Sequence, residues 1–328
     1  MSTAPDPSQL RDALVASPAL CPLAWNEERT AVLFGRFAEA AFDEVSFFDQ
    51  RAVPSAQQTG VVPWAMAEPW LVGLPRQCDF LFHISHCGST LLSRLLGTAD
   101  TCLAIREPGL LRGLSAADPE PRFDAALGLL SRTFRSSQRP LIKATSIVNA
   151  VAGRLLDRAA ESRAALAFVP PASFLPGVLD GSLSDIEAHA ASRWQRLQDG
   201  GHAGPAPASP GEHAAAAWLC EMRALTHLAE RFPGRTRWVN FEQFLAVPSE
   251  VLSGLAAFFH LSIDVPGVLG GPIMQRYAKR PDVCYDARSR EALLAKARDA
   301  QAEEIEAGLA WLQAAGWSGA LPDTPLPL

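Results

Sequence analysis

One stretch, residues 79–97, reads DFLFHISHCGSTLLSRLLG and constrains the chain more than any other. Residues 80–84 form a short apolar run, bulky and aromatic, of the kind that is buried on both faces of a sheet. Ser85-His86-Cys87-Gly88-Ser89-Thr90 follows at once, and Leu91, Leu92, Leu95 and Leu96 then repeat at helical spacing. Gly97 is placed to end that helix in a left-handed conformation. Strand, tight glycine-containing turn and helix are the parts of a phosphate cradle. Backbone N–H groups of such a turn converge on an anion, and the helix N-terminus adds its dipole. The same letters also fit an ordinary strand–turn–helix, so support must come from elsewhere in the chain.

Set against the nucleotide-triphosphate P-loop, G-x-x-x-x-G-K-[ST], the match is partial. His83 stands at the first glycine and Ser89 at the lysine, while Gly88 and Thr90 are in place. Without that lysine, whose ammonium reaches the terminal phosphates, ordinary ATP or GTP hydrolysis is disfavoured. The stretch resembles the phosphate-binding loop of the sulfotransferase family more closely. That loop reads approximately P-[KR]-[ST]-G-[ST]-[ST], and bacterial members often continue as S-G-S-T-L-L. Here Ser85 stands at the proline, His86 at the basic residue and Cys87 at the serine; Gly88, Ser89, Thr90, Leu91 and Leu92 match as they stand. The resemblance implies a donor, 3'-phosphoadenosine 5'-phosphosulfate (PAPS), held by Ser85, His86, Cys87, Gly88, Ser89 and Thr90. It implies transfer of a sulfuryl group to a hydroxyl or amine of a small-molecule acceptor, with no metal and no redox cofactor.

The chain has 328 residues, enough for one large α/β domain or two smaller ones, and 48% of them are hydrophobic, enough for a sizeable core. The formal net charge is −6 and like charges form no long block, which argues against a nucleic-acid polymer as partner. No apolar run reaches the roughly 18 residues of a membrane span, and the start, MSTAPDPSQLRD, lacks the basic and apolar regions of a secretory signal. Six cysteines are scattered without a C-x-x-C pair, which reads as reduced, mostly buried thiols in a cytoplasmic protein.

Residues 1–76 read as an extension packed on a main domain of 77–328, with no chemistry of its own. Within it, 29–42 has apolar residues at helical spacing, 45–49 reads as a short strand or a turn, and Trp64 and Trp70 beside Pro63 and Pro69 read as an irregular packed segment. From residue 80 onward, short apolar strands alternate with helices. Strands are expected at 80–84, 101–105, 140–144, 164–169 and 237–242, and helices at 122–136, 147–160, 213–232, 248–259 and 290–314. Residues 199–212, rich in Gly, Pro and Ala, read as a flexible loop. Alternation of this kind implies parallel pairing with right-handed crossovers, hence a three-layer αβα fold around a central, mainly parallel sheet.

The resemblance extends to later landmarks. RWVNFEQFLAVPSEVLSGLAAFFHL is similar to the sulfotransferase pattern of a strand ending in Y-E-x-L, a proline and a helix, with Phe241-Glu242 at the Tyr-Glu. QRYAKRPDVCYDARSRE is similar to the late nucleotide-contacting loop of bacterial members. One departure matters. Many members carry Arg-x-P after the fourth strand of the alternation, with a serine further on, to hold the 3'-phosphate. Here the place reads Val169-Pro170-Pro171-Ala172-Ser173, so Ser173 remains and the arginine is gone. Lys279 and Arg280 are the candidates to replace it.

In open parallel sheets ligands sit beyond the carboxyl ends of the strands. His86, Glu107, Lys143 and Ser173 each lie at or just after such an end. His86 reads as a hydrogen-bonding partner for a phosphate or sulfate oxygen, or as a turn histidine bonded to backbone. Lys143 resembles the family's lysine near the transferring group, or else is a surface lysine closing a strand. Glu107 is the candidate general base, or half of a surface ion pair with Arg106. His83, His86 and Cys87 lack a fourth ligand nearby in sequence, so no metal site is expected. Two other readings stay open: a nucleotide-dependent kinase, and a non-catalytic nucleotide-sensing or partner-binding module.

Overall fold

The computed structural model describes residues 6–181, 183–202, 204–277, 280–284 and 287–324, with backbone alone at 183–189, 277, 280–284, 287 and 288. The chain opens with α1 (Pro7–Ala16), then β1 (Leu20–Trp25), β2 (Ala31–Arg36), α2 (Ala41–Glu44), β3 (Gln58–Pro63) and α3 (Trp64–Leu71). β1, β2 and β3 pair in that order, antiparallel. The helix expected over 29–42 is therefore a strand followed by a single helical turn. Val32, Leu33 and Phe34 sit between two partner strands, and that pairing overrides the apolar spacing. The stretch around Trp64 and Trp70 is regular: β3 runs directly into α3.

The main sheet follows. β4 (Asp79–His83) leads through the turn to α4 (Ser89–Leu96), and then come β5 (Cys102–Arg106), α5 (Gly109–Arg112), α6 (Glu120–Leu130), β6 (Arg139–Lys143), a 3₁₀ turn (Ser146–Val151), α7 (Ala152–Arg158) and β7 (Ala164–Phe168). α8 (Pro171–Leu179), α9 (Leu183–Asp199) and α10 (Pro210–Arg231) precede β8 (Thr236–Asn240), and α11 (Phe241–Ala246), α12 (Pro248–Phe259) and α13 (Val265–Leu269) follow it. A short antiparallel pair, β9 (Arg276–Tyr277) and β10 (Arg280–Cys284), leads to α14 (Ala287–Ala300) and α15 (Ala302–Ala314). Among the described residues the sheet has the order β5-β6-β4-β7-β8, and every pairing is parallel.

This is the expected α/β class, with β4 at the centre. Every residue of β4, β5 and β7 is buried, as a sheet covered on both faces requires. α4 packs on β4, β5 and β6 and against α12, and α10 packs on β4 and β8 and against α7, which in turn packs on α6. At the opposite end from the turn, Asp79 ties three strands together. Its carboxylate accepts from the Arg139 guanidinium of β6 at 2.6 and 3.1 Å and from the Arg163 backbone N–H, just before β7, at 2.8 Å.

Several expectations need correction. Gly97 ends α4 in the right-handed region, at φ −68°, not the left-handed one. A Cβ there would stand 2.9 Å from the Ala104 Cβ, so the glycine serves close packing of α4 on β5. The strand expected over 237–242 stops at Asn240, whose side chain accepts from the Glu242 N–H and caps α11. The helix expected over 147–160 starts as a 3₁₀ turn, and the long one over 290–314 breaks at Gln301 into α14 and α15. α8 and α9 cover 171–179 and 183–199, where the sequence predicts no element.

Candidate functional site

The turn between β4 and α4 is built from unusual backbone. Ser85 (φ 68°), His86 (φ 46°) and Gly88 (φ 69°) are all left-handed. The first two are not glycine, and such conformations persist only where the surroundings enforce them. Two contacts do so here. The Ser85 N–H donates to His83 Nδ1 at 2.9 Å, and Cys87 is buried with its Sγ 3.4 Å from the Ala167 carbonyl of β7. Gly88, the N-cap of α4, has no side chain with which to cap the first-turn N–H groups. Those donors point along the helix axis beyond the strand end, the geometry that receives an anion. The His86 ring is exposed and meets Phe174 of α8 edge-on at 6.4 Å, so the turn borders the helix that carries Ser173.

On the other side of β4, β5 and β6 deliver Glu107 and Lys143. Arg106 is in register with Lys143, and the Glu107 N–H donates to the Lys143 carbonyl at 2.7 Å. Glu107 itself has φ 48°. Of the five described non-glycine residues with positive φ, three (Ser85, His86, Glu107) stand at this one sheet edge, which marks it as the place where the fold stores backbone strain. Lys143 is only 1% exposed, and its ammonium pairs with Glu107 Oε1. The surface-lysine alternative is excluded by that burial. So is a surface pair of Arg106 with Glu107: Arg106 is buried and turns away, donating to the carbonyls of Val45 and Phe42.

Those carbonyls lie in the segment before β4, and Arg106 thereby draws residues 42–51 against the edge. The Phe48 N–H donates to the Arg106 carbonyl at 2.7 Å, and the Gly109 N–H to the Phe48 carbonyl at 2.9 Å. As a result Arg51 Nη2 lies 3.7 Å from Glu107 Oε2. Buried Asp49 accepts from Arg51 Nε at 2.9 Å and Nη2 at 2.6 Å and also pairs with Arg112 of α5. Burial by itself pushes the Asp49 carboxyl up. Hydrogen bonds from Arg51, side chain and backbone, and from Arg112 outweigh that and hold it below the ordinary carboxylate value. No local pattern marks this cluster in the sequence, because Arg112 lies more than 60 positions from its partner Asp49, and Glu107 more than 50 from Arg51.

Behind the turn, the Asn149 amide donates to the His83 carbonyl at 3.0 Å and to Glu221 at 2.8 Å. Glu221 is fully buried and accepts from Arg193 and Arg196 of α9, and Arg193 donates to Ser146. This network fixes α9 and α10 to the C-terminal end of β4. Phe241, at the start of α11, covers Gly88, and Glu242 beside it pairs with Arg290 of α14 at 2.5 Å. Lys279 lies outside the described residues, and of Arg280 only its backbone place at the start of β10 is described. Among the described residues no group of three or more side chains is arranged to hold a metal ion, and no helix is long and apolar enough to cross a membrane.

No family model matches the chain, and no curated protein does. Solved structures do. A sulfotransferase domain from the curacin biosynthetic pathway is 16% identical, with a TM-score of 0.42, over 76% of this chain and 99% of that one. A sulfotransferase domain from the Synechococcus PCC 7002 olefin synthase is 16% identical, with a TM-score of 0.41, over 72% and 94%. A sulfotransferase from Mycobacterium avium is 12% identical, with a TM-score of 0.42, over 92% and 97%. At such identities the chemistry of the site is left to its own residues.

Proposed function

We propose that the chain transfers a sulfuryl group from PAPS to a hydroxyl or amine of a small molecule. The observation that carries this is the juxtaposition, at one sheet edge, of a left-handed turn opening a glycine-capped helix and a buried Lys143–Glu107 pair. The turn fits the phosphosulfate end of such a donor: first-turn N–H groups of α4 with the side chains of Ser85, His86, Ser89 and Thr90 around them. Cys87 contributes backbone alone, since its thiol is turned inward to β7. Ser173 borders the turn through Phe174. For the 3'-phosphate, the assignment to Lys279 and Arg280 rests on the sequence.

Sulfuryl transfer, like phosphoryl transfer, passes through a loose in-line transition state with charge on the equatorial oxygens. When bound, PAPS supplies the activated sulfuryl group and a good leaving group. The chain's part is to position the acceptor and stabilise charge. The acceptor oxygen forms the new S–O bond, the S–O bond to the nucleotide phosphate breaks, and the acceptor proton goes to Glu107 Oε2, the oxygen away from Lys143. Lys143 orients Glu107 and sets a positive charge beside the equatorial oxygens. A screen of phenols, sugars and amines with sulfur-labelled PAPS tests the reading. Label transfer to at least one acceptor, dependent on Glu107, is expected. Label transfer to none, with phosphate transfer from ATP and Mg²⁺ instead, would assign the chain to the kinases.

A further inference from the structure

The charges at this edge form an alternating chain, Lys143–Glu107–Arg51–Asp49–Arg112, in which each side chain pairs with the next. Three cations and two carboxylates make up this chain of pairs. The chain begins buried and ends exposed: the Lys143 side chain is 1% accessible, those of Arg51 and Arg112 54% and 42%. A guanidinium carries five N–H donors in a planar fork. Arg51 spends Nε and Nη2 on Asp49 and Glu107, and Arg112 spends Nη2 on Asp49. Among the described residues nothing engages Arg51 Nη1, Arg112 Nε or Arg112 Nη1. Two forks pinned on one buried carboxylate, with outward donors left over, are pre-organised for an oxyanion.

Their surroundings say what else the ligand carries. The Arg51 guanidinium lies over the Phe47 ring, 3.6 Å from its centroid, and Lys143 Nζ stands 5.9 Å from the same centroid. Phe47 is half-buried and so offers an apolar face beside both Arg51 and the Lys143–Glu107 pair. The cluster lies on the β5–β6 side of β4, whereas Ser173 and α8 lie on the β7 side. Donor and acceptor of an in-line transfer approach from opposite sides, so a nucleotide directed towards β7 leaves this side to the acceptor.

Resting on the sulfotransfer reading, we propose that Arg51 and Arg112 bind an anionic group of the acceptor. The substrate then carries a carboxylate or phosphate besides its reacting hydroxyl or amine. The N-terminal extension thereby completes the acceptor site and selects acidic substrates.

The test uses the full chain, with and without 3'-phosphoadenosine 5'-phosphate (PAP), and three probes of one shape: 4-hydroxyphenylacetate, its neutral amide, and 4-hydroxybenzylphosphonate. Calorimetry should show the anions binding at least about tenfold more tightly than the amide, as hydrogen bonds to a charged group give. The better of the two anions identifies a carboxylate or a phosphate source. Arg112→Gln, which leaves Asp49 its Arg51 fork, should shrink that ratio without changing PAP affinity, and Arg51→Lys should shrink it too while keeping the charge. Equal affinity for anion and amide, binding of none of the probes, or loss of PAP affinity in Arg112→Gln overturns the proposal. PAP binding is measured before any probe is added, so failure of the donor reading appears on its own. The probe ratio without PAP still decides for or against the arginine pair.

Discussion

The ring of Phe241 closes over Gly88: a Cβ built on that glycine would stand 2.1 Å from it. This one contact links the anion-binding turn to the start of α11, and through Arg290, whose guanidinium carbon lies 5.8 Å from the same ring, to α14. Gly88→Ala therefore meets both a steric clash and a left-handed backbone. It should destabilise the fold by about 1–3 kcal/mol in urea melts. Phe241→Ala in the same chain should recover part of that loss. Strictly additive effects of the two changes would show that the contact is not the cause.

Lys143 and Glu107 should behave as a unit. Removing one partner leaves the other charge buried, so Lys143→Met and Glu107→Gln should each cost about 3–5 kcal/mol of stability, and the double variant less than their sum. In the folded Glu107→Gln protein, turnover should fall by about 10²–10⁴ with PAP affinity nearly unchanged. A variant that lost PAP affinity but kept turnover at saturating donor would make Glu107 an organiser of the edge instead of the base.

Asp49 gives a signed pH dependence. Its carboxyl, ordinarily at 3.8, is held lower in the folded state, where hydrogen bonds from Arg51 and Arg112 outweigh burial. A folded value below the unfolded one contributes stability that is present above the unfolded pKa and lost as pH falls through the folded one. The stability difference between wild type and Asp49→Asn should be constant above roughly pH 5 and shrink below about 3.8. A difference that stays constant down to about pH 2 would refute the arrangement.

Cys87 lies in the turn but should be inert. Burial pushes its thiol up to about 11, leaving almost no thiolate near neutrality. Iodoacetamide at about pH 8 should leave the Cys87 peptide unlabelled in the native protein and label it in urea, as read by mass spectrometry. Equal rates in both states would place the thiol at the surface of the turn.

What the sequence made legible was local. The apolar run before Ser85, the leucines after Thr90 and Pro248 at the head of α12 report their own neighbourhood, and each lies where its pattern puts it. β2 was not legible as a strand, because its partners β1 and β3, not its spacing, decide its conformation. Lys143 was readable as a strand-end cation, but not as a buried one paired with Glu107, since the register of β5 on β6 makes that pair. The Arg51–Asp49–Arg112 cluster had no signal at all. It exists because Arg106 reaches the Phe42 and Val45 carbonyls across the whole of α3, β4 and α4 in sequence.

The turn of residues 84–88 should hold the phosphate end of an adenosine 3',5'-bisphosphate. Calorimetric titration of the full chain with PAP, beside ADP and ATP with Mg²⁺, measures this most directly. PAP should bind at one site per chain, without metal and more tightly than ADP, and Thr90→Ala should weaken it while the protein stays folded. No heat with PAP, or an affinity for PAP that Gly88→Ala and Thr90→Ala leave unchanged in folded protein, would contradict it.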